Sequence, residues 1–319
     1  MADTDYARAP VLLFDPVHAN QRTTRYALHE IGFRQIECVS TLPDLKTGLT
    51  ESNPVLAVME SSATDADVFK IVRSMRRSEL GNNPFMVILL TTWSRDTVHI
   101  RRAIECGADD VIVRPFSTMF AEERVRTLIK ARKDFIVTSD YIGPDRRKGG
   151  TSRQSDAQAL EVPNLLQAMV EGDTAALARG SHWIKEAKST VIAERLRRLA
   201  MRVVVTAELQ LGDKAGDTRI DYEDMLRTSR ELKAQLLKLS RAEAAEVAEA
   251  LIEQVTTMQS GNDTSPASFK LTKELAMGAY AAFANGESLE RSRDEIERTV
   301  ANLRKRIQAR AQAAAGNAA

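Results

Sequence analysis

The chain has 319 residues, with 45 Lys and Arg against 44 Asp and Glu, so its formal net charge is +1. At roughly 150 residues per domain, this length suggests about two domains. The near-neutral charge gives no reason to expect a nucleic-acid or anionic-membrane partner. Two cysteines, Cys38 and Cys106, are too few for a disulfide framework or a metal cluster, and we expect both to be reduced thiols.

No apolar run approaches the roughly 20 consecutive residues that a membrane-spanning helix needs. The first residues, Met-Ala-Asp-Thr-Asp, are acidic and lack the basic start and apolar core of a secretory signal peptide. The sequence therefore predicts a cytoplasmic protein without a membrane partner.

The first third of the chain alternates short apolar runs with amphipathic stretches. The apolar runs are continuous, which is typical of strands buried on both faces of a parallel sheet. The amphipathic stretches have helical spacing. Five such pairs in a row predict an α/β fold with a doubly wound, five-stranded parallel sheet. The predicted strands are residues 11–14, 36–39, 55–59, 85–90 and 111–113, and the predicted helices are residues 20–31, 42–50, 68–77, 95–106 and 117–132.

Turn-forming residues interrupt this pattern between residues 139 and 156, where Gly143-Pro144 and Gly149-Gly150 occur. From about residue 162 the chain is rich in good helix formers, so we expect an all-α domain of about six helices. The prediction divides the chain into an N-terminal tail (1–9), an α/β domain (10–135), a linker (136–160), an α-helical domain (161–310) and a disordered tail (311–319).

Four segments, in order and correctly spaced, resemble the receiver domain of two-component response regulators over residues 10–133. The clearest is Gly107-Ala-Asp-Asp-Val-Ile-Val-Arg-Pro-Phe116, where the family has Gly-Ala-Asp-Asp, an apolar strand and Lys-Pro-Phe. The others are residues 11–16, 54–60 and 84–91. The resemblance implies a CheY-like, flavodoxin-like fold and a part in two-component signal transduction or a phosphorelay.

Receivers hold Mg²⁺ and an aspartyl phosphate at the carboxyl ends of their strands, which is the usual ligand site of an open α/β sheet. The resemblance places this site at Asp15, Pro16, Glu60, Thr91 and Arg114, and only Asp15 and Thr91 keep the family residue. Pro16 removes one of two acidic residues that help to hold Mg²⁺, which prefers near-octahedral oxygen ligation. We therefore expect no tightly bound Mg²⁺ and no other metal or cofactor.

Glu60 stands where the family has the phosphoacceptor Asp, and its carboxylate lies one methylene, about 1.5 Å, farther from the backbone. A misplacement of order 1 Å can cost about 100-fold in a reaction that depends on positioning. Arg114 replaces the family Lys with a planar guanidinium that suits a static carboxylate pair. Three interpretations stay open: a permanent Glu60–Arg114 pair that imitates the phosphorylated state, a dead scaffold with a solvated or capping Glu60, and residual phosphorylation.

Residues 165–213 are weakly similar to histidine phosphotransfer domains, with Gly-Asp at 172–173 and His-Trp-Ile-Lys at 182–185. His182 is therefore a candidate phosphocarrier, although Glu186 stands where that family has a Gly that gives a phosphodonor room. The favoured alternative is that His182 is an ordinary helical residue. The remaining histidines have no partner pattern, and we expect them at the surface: His18, His29 and His99.

Arg146 and Arg147 belong to a short basic segment, residues 141–148, that resembles one following some bacterial regulator domains. Two guanidinium groups are suited to gripping a phosphate of a nucleotide second messenger. The favoured alternative is a solvated tether. The last predicted helix, residues 289–310, alternates its charges, whereas a DNA-recognition helix is net basic.

These observations predict an atypical, phosphorylation-independent bacterial response regulator: a pseudo-receiver without enzymatic activity that acts as a signalling adaptor through protein–protein interaction. The expected partner is another signalling protein, such as a histidine kinase, a regulator or a motility or development component, and a homodimer also fits. Nucleic acid is not expected as a partner. The alternatives are histidine phosphotransfer through His182 and second-messenger binding at Arg146 and Arg147.

Overall fold

A computed structural model describes residues 5–62, 65–146, 159–211, 220–261 and 263–284. The chain divides into two compact units, residues 1–192 and 193–319. The N-terminal unit contains the strands β1 (Val11–Phe14), β2 (Ile36–Val39), β3 (Leu56–Glu60), β4 (Val87–Thr92) and β5 (Asp110–Val113). The helices that follow them are α1 (His18–Ile31), α2 (Leu42–Glu51), α3 (Asp65–Arg76), α4 (Thr97–Glu105) and α5 (Thr118–Lys130).

The five strands form a parallel sheet in the order β2-β1-β3-β4-β5, which confirms the predicted doubly wound, flavodoxin-like fold. Both faces are buried because successive side chains of a strand point to opposite sides. Val11 and Leu13 pack with residues of α1 and α5, whereas Leu12 and Phe14 pack with residues of α2, α3 and α4. This two-sided burial explains the continuous apolar runs, and each such side chain contributes about 1.5–3 kcal/mol to folding.

The predicted linker begins as ordered structure. Three further strands, β6 (Phe135–Val137), β7 (Ile142–Pro144) and β8 (Ala159–Leu160), form a small antiparallel sheet in the order β7-β6-β8. The ring of Phe135 lies edge-on to Phe85 at a centroid distance of 5.9 Å. Residues 135–146 therefore differ from the expected solvated tether, whereas residues 147–158, with Arg147, lie outside the described residues.

The glycine and proline that suggested a linker serve the small sheet instead. Pro144 ends β7, an edge strand, where a residue without a backbone N–H is tolerated. A Cβ on Gly143 would lie 2.8 Å from Cα of Gly107 and 2.7 Å from the Tyr141 hydroxyl. The absence of a side chain therefore allows β7 to approach the loop before β5.

A buried cluster of three charges lies at the amino ends of β4 and β5. Nη2 of Arg76 donates to Asp109 Oδ2 at 2.7 Å, and Nε of Arg132 donates to Asp109 Oδ1 at 2.9 Å. Burial alone would raise the pKa of Asp109, but Arg132 and Arg76 outweigh it and hold the pKa below its usual value. Both guanidinium groups also lie over the ring of Phe135, at 4.9 and 5.2 Å, so the cluster connects the small sheet to the large one.

The rest of the described chain is helical, which confirms the predicted all-α region. Leu166 and Val170 of the first of these helices belong to the same core as Val125 and Ile129 of α5, so helical packing onto the α/β domain begins here. In the second unit, one helix packs against both of its neighbours. The helices are α6 (Leu165–Val170), α7 (Thr174–Leu209), α8 (Tyr222–Lys238), α9 (Ala242–Gln259) and α10 (Pro266–Ala284), and α9 is the one between its neighbours.

Among the described residues, no helix has both the length and the apolar content that a membrane span needs. The predicted last helix and the C-terminal tail fall within residues 285–319, outside the described residues. The domain boundaries at residues 9/10, 135/136, 160/161 and 310/311 stay a prediction.

Candidate functional site

The four side chains predicted for the phosphorylation site come together at the carboxyl ends of the central strands. Asp15 follows β1, Glu60 ends β3, Thr91 lies in β4 and Arg114 follows β5. The register of β3 and β4 places Glu60 beside Thr91. All four side chains are buried, with at most 4% of each residue exposed. The fold therefore builds one closed polar site at this edge of the sheet.

Arg114 is the centre of this site. Its Nε donates to Glu60 Oε2 at 3.2 Å, and its Nη2 lies 3.2 Å from Asp15 Oδ2. The same Nη2 donates to the hydroxyl oxygens of Thr24 at 2.7 Å and Thr91 at 3.2 Å. The guanidinium carbon lies 5.3 Å from the centroid of the Phe116 ring. One guanidinium therefore bridges both carboxylates and two hydroxyls, which a planar fork of donors can do and a point ammonium cannot.

The carboxylate of Glu60 has partners on both oxygens. Oε2 accepts from the Thr91 hydroxyl at 3.0 Å as well as from Arg114. Oε1 accepts from the backbone N–H of Ser62 at 2.7 Å. Glu60 is 2% exposed, so it is not the solvated residue that one interpretation allowed, although it does cap a backbone N–H. The longer side chain is accommodated because both carboxylate oxygens have hydrogen-bond partners.

Asp15 carries the second negative charge. Its Oδ1 accepts from the backbone N–H of Val17 at 2.9 Å. Burial raises the pKa of Asp15 above its ordinary value, the Val17 N–H and Arg114 oppose this effect, and Glu60 adds to it. Burial therefore outweighs the Val17 N–H and the pairing with Arg114, and it favours the protonated form of Asp15.

Thr24 is a site residue that the sequence reasoning missed. It lies on α1, and its hydroxyl donates to Asn20 O at 3.0 Å while accepting from Arg114. Thr24 belongs to the buried face of α1 together with Gln21, Leu28 and Ile31. Two polar residues at helical spacing on an otherwise apolar face are the signal that could have identified it.

The donor set does not favour a divalent cation. Mg²⁺ needs several oxygen ligands in octahedral geometry, and a missing second acidic residue at Pro16 leaves Asp15 and Glu60, both already paired with Arg114. Within the ranges that the structure describes, no group of three or more His, Cys, Asp or Glu side chains is arranged to hold a metal ion. Weak Mg²⁺ binding stays a prediction.

The histidines divide into two groups. His18, His29 and His182 are exposed, which agrees with the surface positions expected for His18 and His29. His182 lies on α7 with its Nε2 3.1 Å from Glu186 Oε1, one helical turn away. The expectation of a surface position was wrong for His99, which is only 9% exposed, because the hydroxyls of Ser61 and Thr92 supply polar partners inside the fold.

Arg146 is engaged with the α/β domain rather than extending from it. Its Nη2 donates to the backbone carbonyls of Ala108 at 2.7 Å and Asp109 at 2.6 Å. These contacts leave less of the guanidinium for a phosphate. Phosphate binding at Arg146 and Arg147 stays a prediction.

A doubly wound sheet with these residues at its carboxyl edge has the architecture of a response regulator receiver domain. In sequence, the chain is similar to the transcriptional regulatory protein GltR of Pseudomonas aeruginosa, with 28% identity over 120 residues that cover 38% of this chain and 48% of GltR. It is 33% identical to CusR of Escherichia coli over 86 residues, 27% of this chain and 36% of CusR. The chain thus spans about half or less of the curated relatives it matches.

Solved receiver structures align with the same part of the chain. A response regulator receiver domain from Bermanella marisrubri is 21% identical with a TM-score of 0.34, covering 38% of this chain and 98% of that domain. HP1043, an orphan response regulator of H. pylori, is 20% identical with a TM-score of 0.33, covering 38% of this chain and 96% of that chain. No protein-family model matches the chain. The N-terminal part is similar in sequence to response regulators, and an all-helical region follows it.

Proposed function

We propose that this chain is an atypical response regulator whose receiver domain works without phosphorylation, as a non-enzymatic adaptor that binds another signalling protein. The observation that carries the proposal is the position of Arg114 between Asp15 and Glu60. In a phosphorylated receiver, a metal ion and a phosphoryl group would occupy such a site. Here a side chain of the same protein holds the acidic residues together.

The charges support this interpretation. A guanidinium stays protonated at every physiological pH, so its pairs with the two carboxylates do not depend on a kinase or a metal. Separating them would leave buried charges uncompensated, which costs several kcal/mol. The site is therefore closed in the resting protein, and an incoming phosphoryl donor would have to displace Arg114 from Glu60.

Partner and compartment follow as parts of the same proposal. The curated relatives are transcriptional regulatory proteins, but the matched segment covers about half of them, so DNA binding is not transferred to this chain. We infer instead a protein partner, such as a histidine kinase, another regulator or a second copy of the chain, in the cytoplasm. The permanent-pair interpretation expects the affinity for that partner to depend on Glu60, whereas the dead-scaffold interpretation does not.

The test uses beryllofluoride with Mg²⁺, a non-covalent stand-in for a phosphoryl group on a carboxylate. The amide NMR spectrum of the wild-type protein should not change on addition, because no open carboxylate pair exists to receive the group. The control is the Arg114→Lys variant, which restores the family's ammonium and should show at most small local shifts. Saturable shifts in β3, β4 and α4 of the wild-type protein would contradict the proposal.

A second candidate function is phosphotransfer through His182, which is favoured by one observation: its side chain is 74% exposed on α7. An exposed imidazole can act as a nucleophile towards a phosphoryl donor. Glu186 lies against its Nε2 and would have to move. Incubation with a phosphorylated response regulator should transfer no label to His182, and a label lost in His182→Gln would establish this function instead.

A further inference from the structure

His99 lies outside the Asp15–Arg114 cluster and is the one histidine in the described ranges that is buried. It belongs to α4, and its Nε2 contacts two hydroxyls, that of Thr92 at 2.9 Å and that of Ser61 at 3.2 Å. The ring of Phe69, on α3, lies 5.4 Å from the imidazole. Four elements thus meet at this side chain: the end of β4, the loop after β3, α3 and α4.

The hydroxyls around His99 form a continuous series of hydrogen bonds. The backbone N–H of Trp93 donates to Ser62 Oγ at 2.6 Å, and that of Ser94 donates to Thr92 Oγ1 at 3.1 Å. Ser62 Oγ and Thr92 Oγ1 lie 2.9 Å apart. Each hydroxyl has one proton to give. If Ser62 donates to Thr92 and Thr92 donates to the imidazole, every one of these protons has a partner.

The proton of the Ser61 hydroxyl has its own acceptor, the carbonyl of Thr91 at 3.2 Å. Nε2 of His99 therefore contacts the oxygen of Ser61 as well as that of Thr92, and through Thr92 it connects to Ser62.

This series of hydrogen-bonded hydroxyls begins at the candidate site. The backbone N–H of Ser62 donates to Glu60 Oε1 at 2.7 Å, while the side chain of Ser62 contacts Thr92. The Glu60 carboxylate thus holds Ser62, which is the first residue of the hydrogen-bonded series that leads to His99. Next to this series of hydroxyls, Trp93 is 49% exposed and Val98 is 61% exposed. The neighbouring surface therefore presents apolar side chains to solvent.

We propose that Ser62, Thr92 and His99 form a hydrogen-bond relay that holds α4 in place according to the position of the Glu60 carboxylate. Thr92 and His99 are positioning residues: they act on the Trp93–Val98 surface through α4. The inference deepens the proposed function, because it states how a site that keeps Glu60 in one place could set a protein-binding surface.

The first test removes one hydroxyl. Thr92→Val takes away the hydroxyl that contacts His99 Nε2, Ser62 Oγ and the backbone N–H of Ser94. Hydrogen exchange of the α4 amides should then rise about fivefold to tenfold, the equivalent of about one net hydrogen bond. Thr92→Ser keeps the hydroxyl and should restore the wild-type rate. Thr23→Val removes an exposed hydroxyl of α1, which donates to Ala19 O, and should leave α4 unchanged.

The second test reads the imidazole itself. The ¹⁵N shift of His99 Nε2 should change in both Thr92→Val and Glu60→Ala relative to the wild-type protein. Unchanged His99 shifts and α4 exchange in Glu60→Ala would overturn the proposal. Neither readout involves a phosphoryl group, so these failures are distinguishable from a positive beryllofluoride titration, which would overturn the proposed function.

Discussion

Arg114 supplies one positive charge to a buried site in which Asp15 and Glu60 supply two carboxylates. Buried ion pairs have a large desolvation penalty, so such a cluster adds little net stability. Removing one of its members is strongly destabilising, because the remaining buried charge is left uncompensated. The same reasoning applies to Asp109 between Arg76 and Arg132. Side chains of this kind specify one arrangement of the strand ends.

Replacing Arg114 with Met keeps much of its volume and removes its charge. We expect the free energy of unfolding of the N-terminal unit to fall by about 3–5 kcal/mol at neutral pH, because two like charges remain buried. Urea unfolding followed by tryptophan fluorescence measures this unit, since Trp93 and Trp183 are the two tryptophans of the chain.

The matched control is Arg126→Met, because Arg126 forms an ion pair with Glu122 while its side chain is 58% exposed. Exposed pairs contribute about 0–1 kcal/mol. Equal unfolding midpoints for the Arg114→Met and Arg126→Met variants would show that the guanidinium does not bind the two carboxylates together in solution.

The raised pKa of Asp15 predicts a pH dependence with a definite sign. A carboxyl whose pKa is higher in the folded state binds its proton more tightly there, so its contribution to stability is greatest at low pH. That contribution is lost as pH rises from the ordinary carboxyl pKa of 3.8 through the raised pKa. Asp15→Asn removes this titration. The Tm of the variant should therefore rise relative to the Tm of the wild-type protein as pH increases from 3.8 through the raised pKa. A difference that is flat with pH would contradict the assignment.

At the scale of elements, the small β7-β6-β8 sheet is an addition to the receiver fold that depends on close backbone approach. Gly107 has φ +100°, a conformation that L side chains rarely adopt, and a Cβ there would lie 2.6 Å from Ile142 O. The loop before β5 and strand β7 therefore fit together because each lacks a side chain at the contact.

Gly143→Ala tests this contact. The added methyl would lie within 3 Å of Gly107 and Tyr141, so we expect the unfolding free energy of the N-terminal unit to fall by about 1–3 kcal/mol. The same substitution at Gly278, on α10, meets Val247 at an ordinary 3.5 Å and should stabilise its helix by about 0.5–1 kcal/mol. A neutral Gly143→Ala would mean that β7 does not pack against this loop.

At the scale of the whole molecule, the sheet and its site were predictable because short sequence segments indicate them. Continuous apolar runs mark the strands, and the resemblance to receiver domains placed Asp15, Glu60, Thr91 and Arg114 in one site at the carboxyl edge of the sheet. These predictions needed no knowledge of how helices pack.

Other features depend on contacts between distant segments. Thr24 and His99 are ordinary helical residues in the sequence, and only the packing of α1 and α4 brings them to Arg114 and Thr92. Gly143-Pro144 signals a turn locally, yet β6 and the loop at Gly107 make it a strand. Asp109 belongs to the motif at residues 107–116 that resembles receiver domains. Its two partners, Arg76 and Arg132, are 33 and 23 residues away in the sequence, so the motif does not reveal them.

Phosphoryl uptake tests the central claim most directly. Wild-type protein is incubated with acetyl phosphate and Mg²⁺, and its intact mass is measured beside a triple variant, Pro16→Asp, Glu60→Asp and Arg114→Lys, which restores the family's residues. We predict that the triple variant gains the mass of one phosphoryl group and that the wild-type protein gains none. A phosphorylated wild-type protein whose label disappears in Glu60→Gln would contradict the account, because Glu60 would then be an acceptor rather than the permanent partner of Arg114.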